Sequence, residues 1–517
     1  MSAEHSSLPA PAASPHAESS SADTLLAIQN ALKLGGSLLV TWGIALGMRL
    51  FLPRYLGPDL LGTLSFADAF AATFFVALSL GADVYVRKEI SVRPEHASDF
   101  FGGTLALRVV MSLAIFAVMG VVMHAGNRPP AVQLVVYVFA AAQFFVNANA
   151  TLSALLHAKG RVGGVSALAV ATKVVWAAGV LAAMLLHVGL WGFAAAFLLS
   201  EAIETFVLYA LAKRHLGLEM RFDVPATKAM IISSLPYYLN TFATTAYGKL
   251  DVSWLAFVAS STEVGWYAAS SAIAGLTLLV TPLIGWVLIP TFARAAARSQ
   301  EDLFARIRSS TELILAVAIP VSLFISLSAD LVVKTLFGEA YMPAVLALRI
   351  LAGTFVITYV AIVYAVTLLM LERAWTLTII SIAGLVVNVL LNILLVRPSL
   401  GWFGEGGGGV GCALAMLGTE IFVTTAMVSI VGRRAFDRRT VSMVLKSAAA
   451  CALVVVVDRY AVPLGWFRLA VDAAVYLVVV VSTGALRIRE IVELVMTAVR
   501  AKTANLSAAA TATRTEG

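Results

Sequence analysis

Eleven ionisable side chains stand inside long apolar stretches of this sequence: Arg49, Asp68, Arg108, Lys173, Glu201, Glu204, Lys249, Asp251, Glu312, Arg349 and Glu420. Each costs roughly 2.5–3.5 kcal/mol to place in hydrocarbon, so such residues are functional candidates by default. Depth within the stretch sorts them. Arg108 and Glu312 sit at stretch ends, where reaching the interface explains them. Arg49, Lys249, Asp251 and Arg349 lie within about two turns of an end; there, lining a cavity and reaching for the interface both stay open. Lys173, Glu201 and Glu420 are deep. Asp68 and Asp251 can hold a coupling proton or cation, or neutralise nearby bases. Lys249 and Asp251 are about 200° apart around a helix and so do not pair with each other. The seven histidines are scattered, and no Ser/His/Asp, Cys/His or metal-ligand constellation is visible. No cofactor or metal is expected. Cys412 and Cys451 fall in apolar stretches and read as packing residues.

The elements that must position these residues are membrane helices. About fourteen apolar segments run along the chain, at 32–52, 62–84, 104–124, 132–156, 165–188, 190–212, 230–257, 264–290, 311–328, 345–371, 375–396, 410–431, 444–460 and 469–486. A membrane helix needs about 20 apolar residues. The segment 311–328 is short, and 230–257 is long and holds Pro236, Lys249 and Asp251. Nineteen Lys and Arg fall in the even-numbered connections and six in the odd-numbered ones. Short cytoplasmic loops accumulate these residues, so both termini are expected in the cytoplasm, with Arg54 and the Gly404–Gly409 turn outside.

Composition agrees. The chain is 60% hydrophobic and 13% charged, with mean hydropathy +0.91. A soluble domain of this length does not keep so few surface charges. The net charge of +7 is distributed by topology, which favours membrane lipids over nucleic acid as its partner. Residues 1–24 are rich in Ser, Ala and Pro, carry Glu4, Glu18 and Asp23, and lack the basic region of a signal peptide. They read as part of a disordered tail. Ala297–Ser310 and Arg487–Val499 read as amphipathic stretches on the cytoplasmic surface, with a solvated linker the alternative for the first. The Gly404–Gly411 run reads as a flexible turn. It follows no strand and lacks the Lys-Ser/Thr of a phosphate loop.

An internal repeat relates two parts of the chain. Gly192–Glu201 (GFAAAFLLSE) matches Gly411–Glu420 (GCALAMLGTE), 219 residues on. Gly62 (GTLSFADA) matches Gly265 (GWYAASSA), and the hairpin at Arg161 matches that at Arg373. Three pairs in one order give two six-span halves with two spans added. Transporters built this way hold substrate between the halves and alternate access by rocking. The domains expected are a disordered cytoplasmic tail over 1–29, halves at 30–228 and 229–440, two additional helices over 441–490, and a cytoplasmic tail over 491–517. Glu201 and Glu420, at equivalent positions, read as structural acids.

The motifs Arg54-Tyr-Leu-Gly57-Pro58-Asp-Leu-Leu-Gly62, Leu80-Gly81-Ala-Asp83 ending in Arg87-Lys88-Glu89-Ile90, Val264-Gly265-Trp-Tyr267, Asn388-Val-Leu-Leu-Asn392 and Val410-Gly411 follow one another in order. In this, residues 30–490 resemble the polysaccharide, or O-antigen, flippase family of the multidrug, oligosaccharidyl-lipid and polysaccharide exporter superfamily. The resemblance implies an all-α polytopic fold, with two six-helix halves in a V around a cavity lined mainly by spans 1, 2, 7 and 8. It also implies flipping of a polyprenyl-diphosphate-linked oligosaccharide across the bacterial inner membrane for surface polysaccharide synthesis, with a polymerase as a further partner. An anionic, hydrated substrate needs cations to replace its water, a role that Arg49, Lys249 and Lys173 fit. Asp68 and Asp251 then serve a coupling ion or charge balance. A peptidoglycan-precursor flippase, a multidrug cation antiporter and a membrane glycosyltransferase or polymerase stay open as alternatives. The basic residues on cavity-type spans disfavour the antiporter.

Overall fold

The computed structural model describes residues 15–81, 97–158, 162–221, 223–435 and 437–484. Residues 1–14, the motif at Arg87–Ile90, Lys159, Arg161 and the stretch Arg487–Val499 lie outside them. Every regular element among the described residues is a helix. In chain order these are α1 (Pro15–Phe75), α2 (Ala97–Ala125), α3 (Pro130–Ala158), α4 (Val162–Leu185), α5 (Leu190–Leu216), α6 (Val224–Val258), α7 (Ser261–Ala274) and α8 (Thr281–Arg298). They continue with α9 (Gln300–Leu327), α10 (Ala329–Leu336), α11 (Ala344–Met370), α12 (Ala374–Phe403), α13 (Gly407–Val431), α14 (Arg438–Ala461) and α15 (Arg468–Ser482).

Ten candidate spans among the described residues are long and apolar enough to cross a membrane. Two of them run 45 residues, Gly35–Ser79 and Arg438–Ser482, and each covers two of the fourteen expected spans. The first breaks at Gly57 (φ 71), where Pro58 opens a second limb of α1, because a left-handed glycine stops a helix and proline suits the first turn of the next. The second bends through a 3₁₀ segment, Val462–Phe467. The expected spans 230–257 and 264–290 correspond to α6 and to α7–α8. α6 is made more polar by Lys249 and Asp251, and α7 and α8 are separated by a 3₁₀ segment at Gly275–Val280. Side chains such as Leu113, Leu185, Phe206 and Val478 are exposed, as on a helix whose solvent is hydrocarbon. The chain is a multi-pass membrane protein.

Three local expectations change. α1 is helical from Pro15, inside the stretch read as a disordered tail. Ala297–Ser310 is largely continuous with the short expected span rather than a separate surface element, since α9 starts at Gln300 and runs 28 residues. Its start is set by Ser299, whose hydroxyl accepts from the Asp302 N–H at 3.0 Å, with Glu301 and Asp302 in the first turn. The glycine run is a packed helix start, with Gly407–Gly411 buried at the beginning of α13.

The chain divides into two compact units. Unit one comprises Met1–Met48, Ala82–Phe116 and Tyr137–Ser233; its core includes Phe101, Leu152, Leu155, Leu208 and Met230. Unit two comprises Arg49–Gly81, Ala117–Val136 and Ser234–Gly517. One core there joins α8, α9, α11, α12 and α13 through Phe292, Ile307, Tyr364, Leu377 and Met427. A second seats α14 and α15 on α9 through Leu323, Leu327, Val454 and Val480.

Candidate functional site

The polar site of unit two is built on α6. Lys249 and Asp251 point to different surroundings, as their angular separation requires. Lys249 Nζ lies 3.2 Å from Asp68 Oδ2 on the second limb of α1, and the two side chains are 42% and 38% exposed. Asp68 therefore neutralises the base while leaving it open to water or ligand. Asp251 is 2% exposed. Its Oδ1 accepts from Asn392 Nδ2 at 2.7 Å, and its Oδ2 accepts from the Tyr267 hydroxyl at 3.2 Å. Asn392 Nδ2 also lies 3.0 Å from the Asn388 carbonyl oxygen, and Asn388 Nδ2 donates to Thr419 Oγ1 at 3.3 Å. Both asparagines are fully buried, one helical turn apart on α12. Asn392 Oδ1 has no hydrogen-bond donor among the described residues. A buried carboxylate, amide oxygens and a hydroxyl together make a hard-oxygen set with spare acceptor capacity, suited to a proton or a small cation. Among the described residues no three His, Cys, Asp or Glu side chains gather as a metal site.

The deep glutamates are held by different partners. Glu420 is 3% exposed, and its Oε1 accepts from the Tyr247 hydroxyl at 3.2 Å. In unit one, Glu201 Oε2 accepts from Asn149 Nδ2 at 3.0 Å, and Asn149 Oδ1 accepts from Thr205 at 2.6 Å. Lys173 lies over the Trp176 ring, 5.0 Å from its centroid, within electrostatic reach of Glu201. Arg49 is exposed. Arg108 does not reach for an interface: it is 1% exposed, and Nη1 donates to Thr151 at 2.9 Å. Glu312 pairs with Arg439 Nε at 3.5 Å.

At the Gly57 end of unit two, the second limb of α1 meets α7 backbone to backbone. A methyl group on Gly62 would lie 1.8 Å from the Ser261 carbonyl oxygen, and one on Gly265 would lie 1.8 Å from that of Pro58. Ser261 and Pro58 each precede the opposite glycine's partner by four residues, so the contact is reciprocal. The two glycines matched by the repeat are thus a touching pair. Around them Ser261 donates to Asp59 Oδ1 at 2.6 Å, and the Tyr341 hydroxyl donates to the Pro53 carbonyl at 2.7 Å. Arg128 lies between the Phe66 and Phe257 rings, 5.0 and 4.9 Å from their centroids, and donates to the Ala256 carbonyl. Burial lowers the Arg128 pKa from its ordinary value, and the ring faces offset part of the lost hydration.

In the sequence, Asn388, Asn392 and Tyr267 stand only as letters of family motifs. Two asparagines four apart in an otherwise apolar helix were the available signal, because that spacing stacks both amides on one face. Glu263 stands at the edge of an expected span and carries no such mark in the sequence. Its Oε1 accepts from the Gly406 N–H at 2.7 Å and its Oε2 from the Gly408 N–H at 3.0 Å, which places a carboxylate on the α13 N-terminus.

Residues 51–346 match the sequence profile of a family described as polysaccharide biosynthesis protein. No curated protein matches the sequence. Among solved structures, the lipid II flippase MurJ in an inward closed conformation superposes with a TM-score of 0.68 at 11% identity, covering 90% of this chain and 100% of that one. An inward-facing multidrug resistance MATE family transporter of the MOP superfamily gives 0.57 at 16% identity, over 74% of this chain and 96% of that one. An outward-facing one gives 0.53 at 17%, over 77% and 94%. At these identities the likeness is one of fold.

Proposed function

Because the chain belongs to the polysaccharide biosynthesis protein family, we propose that it is a flippase for a polyprenyl-diphosphate-linked oligosaccharide in a bacterial inner membrane, with both termini cytoplasmic. The observation that carries this reading is the half-exposed Lys249–Asp68 pair in otherwise apolar helices. A strongly hydrated diphosphate crosses hydrocarbon only where fixed cations replace its water, and a base held by one acid keeps donors free for an anion. Arg49 and Lys173 are the further cations of this path. Asp251 with Asn388, Asn392 and Thr419 takes the coupling proton or cation. Glu201 and Glu420 are structural acids. Residues 30–228 and 229–440 act as the two moving halves, and a polysaccharide polymerase takes the product.

The test replaces single charges in a strain that depends on this protein. Lys249→Gln and Arg49→Gln each retain membrane level but abolish surface polysaccharide, with lipid-linked intermediates accumulating. Bonds to a phosphate are charge-assisted, whereas a cation that merely reaches lipid headgroups tolerates glutamine. Full export by both variants refutes the substrate role and leaves Lys173 as the remaining base. A second reading, a peptidoglycan-precursor flippase, is favoured by the MurJ superposition, which covers 90% of this chain against 74% for the inward-facing MATE transporter. Rescue of cells depleted of their lipid II flippase separates the two.

A further inference from the structure

Five arginines from separate stretches of the chain converge at one end of unit two, apart from Asp251 and independent of what the protein carries. α8 and α9 are joined through the single residue Ser299. Their facing turns bury Phe292, Ala295, Leu303 and Ile307 in one core, which Ala435 and Met443 also enter. On the outside of this core stand Arg294 and Arg298 on α8, Arg306 and Arg308 on α9, and Arg434 in the link before α14. All but the half-buried Arg308 are exposed. Arg308 Nη1 donates to the Arg434 carbonyl oxygen at 2.7 Å, and the Tyr364 hydroxyl donates to that of Ala435 at 3.3 Å, so the link is held against the hairpin. Among the described residues no carboxylate lies within 4.0 Å of any of the five guanidinium groups. The nearest acids in sequence, Glu301 and Asp302, sit in the first turn of α9, where the helix dipole favours them.

The loop charge bias asks only for cations at such an end. Two further features define a ligand class. First, every base of the patch is an arginine, whose planar fork pairs bidentately with phosphate oxygens where a lysine offers a point charge. Second, the arginines continue exposed apolar stripes. On α8, Val287 is exposed, and Arg294 and Arg298 follow it on the same helix face at helical spacing. On α9 the order is mirrored: Arg306 is followed on its own face by the exposed Leu313 and Val317. Each stripe passes from apolar side chain to guanidinium over two turns, about 10 Å, the change expected where hydrocarbon gives way to lipid phosphate. A soluble acidic protein would meet the arginines but leave the apolar stripes unused. We propose that this arginine patch binds the phosphate of an anionic phospholipid, whose acyl chains lie along the exposed stripes of α8 and α9.

The site is tested on purified full-length protein, by unfolding temperature in detergent micelles mixed with phosphatidylglycerol or with phosphatidylcholine. A ligand of the native state stabilises it, so phosphatidylglycerol is expected to raise the wild-type value by about 3 °C or more above phosphatidylcholine. A variant combining Arg294→Gln, Arg298→Gln and Arg306→Gln loses most of that rise. Its value in phosphatidylcholine stays at that of the wild type, because these side chains are exposed. A second measurement does not depend on that variant's stability. In phosphatidylcholine vesicles, spin-labelled phosphatidylglycerol is immobilised by the wild type about twofold more than spin-labelled phosphatidylcholine, and Arg298→Gln or Arg306→Gln alone lowers this preference. An equal rise in both lipids, a full rise in the triple variant, or a wild type without the preference overturns the proposal. So does an equal rise produced without lipid by inorganic phosphate or by polyglutamate, which identifies a free anion or an acidic protein as the occupant instead.

Discussion

Two positions of α6 carry opposite solutions to the cost of charge in a membrane. Lys249 keeps its charge by sitting half-exposed beside Asp68, where the pair is weakened by water and can exchange partners. Asp251 is withdrawn and takes donors from Asn392 and Tyr267. Removing its carboxyl takes the acceptor from the Tyr267 hydroxyl and from one of the two Asn392 amide protons, at about 1–3 kcal/mol each, while Asn392 keeps its bond to the Asn388 carbonyl. Asp251→Ala is therefore expected to lower the unfolding temperature and the amount in the membrane. Asp251→Asn is nearly isosteric and keeps an acceptor for Tyr267, so its unfolding temperature stays close to wild type. In vesicles, transport by that variant no longer responds to an imposed ion or proton gradient. A gradient response equal to wild type would remove Asp251 from coupling and leave it a structural role.

Among elements, the meeting of the second limb of α1 with α7 is set by the absence of side chains at Gly62 and Gly265. A methyl at 1.8 Å from a backbone oxygen cannot be accommodated by a rotamer change, because the neighbour is main chain. Gly62→Ala or Gly265→Ala is expected to force these helices apart. Cysteines at Asp59 and Ser261, whose side chains are hydrogen-bonded at 2.6 Å, crosslink readily in an otherwise cysteine-free protein. In combination with either alanine variant they crosslink several-fold less. Equal crosslinking shows that the helices part and close regardless of the glycines. The start of α13 depends on similar closeness. A methyl on Gly406 would lie 2.3 Å from the Pro343 carbonyl oxygen, and one on Gly407 would lie 2.3 Å from that of Ser399. Glu263 supplies the carboxylate for this helix end. Glu263→Ala is expected to cost about 1–3 kcal/mol, read as a lower unfolding temperature, with Glu263→Gln recovering part of it through one accepting oxygen.

For the whole molecule, the charge bias between alternate connections makes a directional prediction. By that bias the turn before α13 is expected outside the cell membrane and Arg434 inside. Gly407 is buried, so the informative probe is the exposed neighbour Glu405. With Cys412 and Cys451 replaced, Glu405→Cys in intact cells reacts with an impermeant thiol reagent, and Arg434→Cys reacts only after the membrane is opened. The reverse pattern overturns the proposed orientation.

Span positions were legible in the sequence because burial in lipid acts on every residue of a span at once. Hydropathy and loop charge therefore sum over about 20 residues and survive a few polar exceptions. Kinks were partly legible, since Gly57-Pro58 acts through local backbone geometry. The intramembrane acids Asp251, Glu201 and Glu420 also stood out, because an ionised group in an apolar run is anomalous wherever its partner lies. What the tertiary structure decided was the partner. Asn392 and Asp251 are 141 residues apart, Lys249 and Asp68 are 181 apart, and Arg468 and Asp330 are 138 apart. Spans with apolar residues on all sides give no periodic mark of which face turns inward. Asn388 and Asn392 therefore became site residues only once packing had rotated their helix. Arg108 shows the same dependence in reverse: its place at a span end suggested exposure, and the fold buries it against Thr151. Position along a helix axis is written in local composition, but rotation about that axis is settled by contacts between distant segments.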